Sequence, residues 1–226
     1  MSPLNYVLLA LIPIGLGFAA RAWVGATLRK ADGVAAASRT TGLDAARKLL
    51  AGRCPGIVLE TVEGELADHY DPRAKTVRLS KGVAESRSVA ALAVAAHEVG
   101  HVLQDRDRDG AFRLQRAIVP VASFCSYAWI IAIGAGIFLE SVGLVVVAVM
   151  LLAGVAAFHL ATLRVELGAS RQALSLLASD GLLTADELPV AHRVLRAATC
   201  TYLVAALAAI MELARIALEI ALTSED

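Results

Sequence analysis

The sequence is short of charge, aromatic residues and cysteine. Charged residues make up 19% of its 226 residues and aromatic residues 5%, and 21 lysines and arginines balance 21 aspartates and glutamates. Without a net basic charge, the composition gives no reason to expect a nucleic acid as partner. The three cysteines, Cys54, Cys125 and Cys200, show no C-x-x-C spacing and cannot all pair, which excludes a disulfide scaffold. Two of them lie in apolar runs and are expected to be small core residues.

Apolar residues are abundant instead, at 58% of the chain with a mean hydropathy of +0.65. A typical soluble domain is about 45–50% apolar and about 25% charged, so disorder and an ordinary soluble fold are both disfavoured. Crossing a bilayer takes roughly 20 apolar helical residues. Four stretches meet this length: 4–20 with an extension to 28, 117–139, 141–163 and 197–218. The composition therefore predicts an integral membrane protein, with the lipid bilayer as a partner.

Each stretch has its own interpretation. No basic residue precedes the first one, so it is predicted to be a retained anchor rather than a signal peptide. Glu140 alone separates the second from the third, which predicts a transmembrane hairpin. The fourth carries Glu212 and Arg215 on one helical face, and a helix lying in the membrane interface is the alternative to a full span there.

The basic residues predict the orientation. Outside the spans, every lysine and arginine lies either between the first and second stretches or between the third and fourth. Basic loops stay on the cytosolic side. We therefore expect a multi-pass protein of the cell membrane with both polar segments in the cytosol and both termini outside.

These observations predict a mainly α membrane protein with about four transmembrane helices and a small cytosolic α+β domain. Within that domain, Thr41 begins a helix, Ile57 to Thr61 form a strand, and an Asp71-Pro72-Arg73 turn joins two antiparallel strands. The whole small sheet is predicted to be antiparallel. Ser86 or Ser88 then caps a helix that continues to about Gln104. The predicted divisions are an N-terminal anchor (1–28), the α+β domain (29–116), a transmembrane hairpin (117–163), a cytosolic helical segment (164–196) and a C-terminal transmembrane helix with a tail (197–226).

The helix after Ser88 contains His97-Glu98-Val99-Gly100-His101, the HExxH pattern. Residues i and i+4 share one face of a helix, so both imidazoles can reach one metal ion. Glu98 lies about 100° further round the helix and can reach a metal-bound water without being a ligand. Two histidines buried beside a carboxylate without a metal would lose hydration with no compensation. The pattern therefore predicts one Zn²⁺ per chain.

A catalytic zinc ion needs a third protein ligand and an open position. The metzincin continuation requires Gly at position 104 and His at 107, and the chain has Gln104 and Asp107 instead. Asp105 or Asp107 can still supply a carboxylate, but Glu166 is the better candidate. It follows the third span by three residues and is predicted to begin a helix of its own. Two spans separate it from His101, so both residues lie on the same side of the membrane.

The HEVGH motif, two following spans and the E-x-x-A-S-R-x-A segment from Glu166 to Ala173 resemble the YugP-type neutral zinc metallopeptidases of bacterial membranes. The chain is more distantly similar to HtpX-type membrane gluzincins. The resemblance covers nearly the whole chain, including Asp68 to Pro72 and Thr201-Tyr202. It implies a zincin-like domain in which His97, His101 and Glu166 hold zinc and Glu98 is the catalytic carboxylate. Ser170 stands where the HtpX pattern has an aspartate, so the group that orients a ligating histidine must differ.

The resulting hypothesis is a zinc metalloendopeptidase that hydrolyses peptide bonds at the membrane–cytosol boundary, with Glu98 as general base. Its substrates are expected to be membrane-associated proteins or peptides, and the strand from Thr76 to Leu79 is a candidate edge for substrate pairing. His69 and Tyr70 either stabilise the oxyanion or form an exposed hairpin, and the latter is favoured. His192 likewise either stabilises the oxyanion or lies on the surface, and the surface position is favoured. No motif indicates an oligomeric state.

Two other classes compete with this hypothesis. A non-catalytic zinc-binding membrane module would have no use for Glu98. A small transporter would need polar groups in its spans, but the first three contain no acidic residue, and His159 is their one ionisable side chain. We expect His159 to form a hydrogen bond with a neighbouring helix rather than to take part in a relay.

Overall fold

The structure is a computed structural model that describes residues 3–64 and 67–223, with side chains for 11–64 and 67–219. It is mostly helical, with four helices long and apolar enough to cross a membrane and one small sheet, as the sequence predicts. The elements in chain order are α1 (Pro3–Asp32), α2 (Gly42–Leu50), β1 (Val58–Val62), β2 (His69–Asp71), β3 (Thr76–Ser80), α3 (Lys81–Glu85), α4 (Val89–Arg106), α5 (Gly110–Phe138), α6 (Val142–Ser179) and α7 (Leu188–Thr223).

One compact unit comprises the described parts of 1–21, 114–163 and 200–226. Its helices expose large apolar side chains, among them Phe124 and Ile131 of α5, while a smaller inner cluster forms around Leu152 and Ile216. Arg215 pairs with Glu212 and Glu219 along α7. Such outward apolar surface suits a lipid surrounding, because lipid rather than water then covers these side chains.

The other unit comprises 22–113 and 164–199. Helices α2 and α4 pack there with the C-terminal part of α6 and the N-terminal part of α7, around a buried core that includes Leu49, Leu92, Val99, Leu177 and Leu182. The Arg53 guanidinium donates two hydrogen bonds to the Asp180 carboxylate, at 2.9 and 2.7 Å. This unit therefore brings together two sections of chain that α5 and the first part of α6 separate in sequence.

The sheet has the strand order β1-β3-β2. Strands β2 and β3 form the predicted antiparallel hairpin, with Tyr70 opposite Val77. Strand β1 pairs with β3 in parallel, with Leu59 opposite Val77, so the prediction of a purely antiparallel sheet is wrong. The prediction that Thr76 to Leu79 offer an edge to a substrate is also wrong, because β1 and β2 occupy both edges of β3.

Two predicted helix starts are confirmed by their caps. Thr41 accepts a hydrogen bond from the backbone N–H of Asp44, and Ser88 accepts one from Ala91 at 3.1 Å. Each side-chain oxygen satisfies a backbone donor that lacks a partner inside the helix. The short helix α3 was not predicted.

Helices α6 and α7 are longer than the predicted spans. Glu166 lies within α6 rather than at the start of a separate helix, and His192 lies on the same helix as the last apolar stretch. Neither proline nor glycine interrupts the chain around Leu163, so the helical backbone continues where the side chains become polar.

The predicted hydrogen bond between His159 and a neighbouring helix is not formed by its Nδ1 atom. Its ring packs against Phe158 with the ring centroids 5.7 Å apart. Within the described part of the chain, its buried Nδ1 atom has no hydrogen-bond partner.

Candidate metal centre

Helix α4 presents both histidines of the HEVGH motif on one side. The ring centroids of His97 and His101 are 4.7 Å apart in an edge-to-face arrangement. One turn of helix separates the two residues, so their Nε2 atoms point toward the same region. The His97 and His101 side chains are only 12% and 13% exposed, which keeps both imidazoles largely out of water.

Glu166 of α6 meets these two rings. One carboxylate oxygen lies 3.1 Å from Nε2 of His97, and the other lies 3.7 Å from Nε2 of His101. The donor atoms of His97, His101 and Glu166 all lie within 4.8 Å of one another. The structure thus brings together the three residues that the sequence nominated as zinc ligands.

A close approach of α4 and α6 makes this convergence possible. A Cβ atom added to Gly100 would lie 2.6 Å from the carbonyl oxygen of Ala169, far inside ordinary contact distance. Because Gly100 has no side chain, the backbones of α4 and α6 can approach each other closely beside the two histidines.

Gln104 is a site residue that sequence reasoning missed. Its Oε1 accepts a hydrogen bond from Nδ1 of His101 at 2.9 Å, and its Nε2 donates to the carbonyl of Val165 at 2.9 Å. Because an amide oxygen only accepts, Nδ1 of His101 must carry the hydrogen in the first of these bonds. Nε2 of His101 is then the nitrogen that can bind a metal ion. A Cβ atom on Gly168 would lie 2.7 Å from the same amide. The signal was available, because Gln104 follows His101 by three residues on one face of α4.

Ser170 contacts the outer ring nitrogen of His97, as Gln104 does for His101. Its Oγ lies 3.3 Å from Nδ1 of His97, and its side chain is buried. The serine that departs from the HtpX pattern thus contacts His97, one of the three donor residues.

Glu98 is buried next to the three donors, at 6% exposure. Burial raises the pKa of Glu98 to about 7, and the negative charges of Glu166 and Asp68 act in the same direction. The neighbouring His97 and a hydrogen bond from the backbone N–H of Tyr70 oppose that rise. A carboxyl group with such a pKa can exchange a proton near neutral pH.

The two histidines differ in their proton affinity. Burial lowers the pKa of His101 to about 4, helped by the charge of His97. Burial also opposes a charge on His97, but its hydrogen bond to Glu166 and the charges of Glu98 and Glu166 outweigh this and raise the pKa of His97. In the metal-free protein, His97 therefore binds a proton more strongly than His101 does.

The donor set fits a zinc ion. Two imidazole nitrogens and one carboxylate oxygen are the protein ligands of many catalytic zinc sites, whereas magnesium and calcium prefer oxygen alone. Three convergent donors leave one tetrahedral position open to water. An amide oxygen of Gln104 and the hydroxyl of Ser170 contact the outer nitrogens of the histidines, where a carboxylate, a backbone carbonyl or water is usual beside a ligating histidine.

The other nominated residues lie outside the three-donor cluster. The ring of His69 is exposed, with Nδ1 2.8 Å from the carbonyl of Ala67 and Nε2 3.3 Å from Arg78. Tyr70 donates its hydroxyl to Asp105. His192 is exposed on α7. An oxyanion role for His69, Tyr70 or His192 stays a prediction.

The two aspartates considered as alternative ligands have other partners. Asp105 accepts from Tyr70 at 2.8 Å and from Lys75 at 2.6 Å, and Asp107 pairs with Arg106 at 2.6 Å. Among the described residues, the cluster suited to a metal ion consists of His97, His101 and Glu166.

Comparison with known proteins agrees with this chemistry. Residues 6–221 match the family described as "Putative neutral zinc metallopeptidase". The chain is 37% identical over 211 residues to the "Putative membrane protease YugP" of Bacillus subtilis (strain 168), covering 93% of this chain and 94% of that protein. No solved structure matches significantly. With nearly its whole length matched, the chain belongs to the neutral zinc metallopeptidase family.

Proposed function

We propose that this protein is a membrane-embedded zinc endopeptidase that holds one zinc ion with His97, His101 and Glu166 and uses Glu98 as general base. The observation that carries the proposal is the convergence of the three donors beside a buried carboxylate. We therefore propose a gluzincin-like site, in which a distant glutamate completes the HExxH pair.

The proposed mechanism divides the work between the metal and the chain. A zinc ion held by His97, His101 and Glu166 would lower the pKa of a water molecule toward ~7 and would polarise a carbonyl group. Glu98 follows His97 directly in α4 and is placed to take the proton of that water and deliver it to the leaving amine. Gln104 and Ser170 hold the outer nitrogens of the histidines and so fix the direction of both rings.

Strand β2 is the proposed docking edge for an extended substrate. It forms an outer strand of the sheet, and the backbone of its central residue, Tyr70, donates to Glu98. A peptide added along this edge would pass directly beside the general base. This assignment replaces the predicted role of β3, which lies in the centre of the sheet.

The proposed site lies at the boundary between membrane and cytosol. Glu166 follows the last apolar residue of its span, Leu163, by three residues of continuous helix, a rise of about 4.5 Å. The basic segments on either side of the hairpin support a cytosolic location, with both termini outside. We therefore propose membrane-associated proteins, or the segments next to their spans, as substrates.

Glu98→Gln tests the proposed function. Purified wild type, the variant and the control Glu85→Gln, which changes an exposed glutamate of α3, are compared for zinc content and for cleavage of casein and of the chain itself. We expect equal zinc in all three and cleavage lost in Glu98→Gln alone. Cleavage at the wild-type rate by Glu98→Gln would instead remove Glu98 from the mechanism. A zinc-loaded wild type without any cleavage would favour the non-catalytic zinc-binding module.

The sidedness has its own test. Arg73→Cys in the hairpin turn and Glu140→Cys between α5 and α6 are made separately in a variant without the three native cysteines. In intact cells, a membrane-impermeant maleimide should label Cys at 140 and leave Cys at 73 unlabelled until the cells are opened. The opposite labelling pattern would reverse the proposed orientation.

A further inference from the structure

A groove of about 360 Å³ lies between α6 and α7. None of the three zinc donors lines it, but Ser170, whose Oγ contacts His97, does. Leu174 and the buried Leu195 form its apolar base, and Leu167 forms a wall with 46% of its surface exposed. Arg171 and Arg196 line it from the two helices, and both side chains are exposed. The groove thus combines an apolar base with two cationic groups.

The charge in the groove is of one sign. The imidazole of His192 lies beside the two arginines in the lining. No acidic residue is among the described residues that line the groove. Nor does any carboxylate in the described chain form an ion pair with Arg171 or Arg196. The Nε of Arg171 donates to the backbone carbonyl of Leu167 at 3.1 Å. Guanidinium groups without a carboxylate partner can bind an anion, and their planar geometry suits the oxygens of a phosphate group.

The position of the groove along its helices indicates the source of that anion. On α6, the lining begins at Leu167, four residues beyond the last apolar residue of the predicted span. On α7, the lining ends at Thr199, inside the start of the last predicted span. Basic pockets just outside the apolar part of membrane helices lie at the depth of lipid headgroups. If the phosphate belongs to a phospholipid, the acyl chain of that lipid would also cover the exposed Leu167.

We propose that this groove binds the headgroup of an anionic glycerophospholipid, with the phosphate between Arg171 and Arg196 and the start of an acyl chain against Leu167. The occupant requires neither the zinc ion nor Glu98, so this inference stands independently of the proposed hydrolysis. A soluble anion would match the two arginines but would leave the apolar wall uncovered.

The test measures binding of phosphatidylglycerol to the full-length protein in detergent by native mass spectrometry. The double variant Arg171→Gln/Arg196→Gln is compared with wild type and with Arg73→Gln, which removes a charge from the exposed hairpin turn instead. A juxtamembrane basic residue contributes about a fivefold gain in affinity for anionic lipid, so the double variant should bind roughly 25-fold more weakly. Arg73→Gln should bind as wild type does.

Three results would overturn the proposal. Equal losses in Arg73→Gln and in the double variant would indicate general surface charge rather than a site. Equal binding of phosphatidylcholine by wild type would show that the anionic charge is not recognised. Competition by glycerol 3-phosphate at a concentration equal to that of the lipid would identify a soluble phosphate as the ligand. Because both arginines are exposed, the double variant should fold, and an unchanged circular dichroism spectrum checks this.

Discussion

Replacing Gly100 with alanine tests whether the contact between α4 and α6 builds the metal centre. The added Cβ would lie 2.6 Å from the Ala169 carbonyl oxygen, about 0.8 Å short of the 3.4 Å at which ordinary contact begins. The obstacle is backbone, so the helices must separate. Overpacking of this kind costs about 2–3 kcal/mol, offset by a gain of about 1 kcal/mol from replacing glycine in a helix. The expected net loss is about 1–2 kcal/mol, or a Tm lowered by about 2–8 °C.

The same displacement should weaken zinc binding. Ligand distances in zinc sites vary by only about 0.2 Å, and moving α6 withdraws Glu166 from the two histidines. We expect zinc affinity, measured by competition with a chelator, to fall roughly tenfold or more. Gly82→Ala is the matched control, because no atom lies within 4 Å of its added Cβ in α3. If Gly100→Ala is as stable as Gly82→Ala and keeps its zinc, the helix contact does not position the ligands.

Three further predictions concern the surroundings of the donors. Gln104→Ala removes the hydrogen-bond acceptor for His101 and should weaken zinc binding about 10–100-fold, as measured by chelator competition. Gln104→Glu keeps an acceptor and should recover most of the lost zinc affinity. Equal zinc affinity in wild type and both variants would assign Gln104 a purely structural role. Only a neutral imidazole binds zinc, and the pKa of His97 is raised above 6.5, so calorimetric zinc affinity should fall as the pH drops through that pKa, whereas a constant affinity between pH 6 and 8 would contradict the shift. Finally, the pKa of Glu98 rises from 4.5 to about 7 on folding, so the metal-free fold binds this proton more tightly than the unfolded chain and loses stability as the pH rises from about 4.5 to 7. In thermal melts, Glu98→Gln should lose less stability over that interval than wild type, and identical losses would refute the assignment.

The features that the sequence predicted correctly depend on neighbours along the chain. Thr41 and Ser88 cap helices with their own side chains, and the turn at Asp71 joins two adjacent strands. The four apolar stretches are visible because each is a continuous run of about 20 residues. The spacing of His97 and His101 predicts a shared helix face for the same reason.

The features that were missed depend on contacts between distant segments. The place of β3 in the sheet is decided by its pairing with β1, which lies more than ten residues upstream. The burial of both Thr76 and Val77 reflects that central position, but no alternation of polar and apolar residues in the sequence indicates it. Gln104 is only partly such a case: its contact with His101 lies within α4, but its hydrogen bond to the Val165 carbonyl at 2.9 Å needs α6.

The continuity of α6 connects the site to the class of substrate proposed for it. The helix runs unbroken from Val142 to Ser179, and neither proline nor glycine lies between Val155 and Leu167. Glu166 therefore follows Leu163 by three residues of continuous helix, a rise of about 4.5 Å along α6. If the site lies at the membrane boundary, as proposed, a substrate must expose its scissile bond close to the membrane surface. Segments that leave the bilayer in extended form meet this condition without unfolding a soluble domain, which is why the proposal favours juxtamembrane substrates over globular ones.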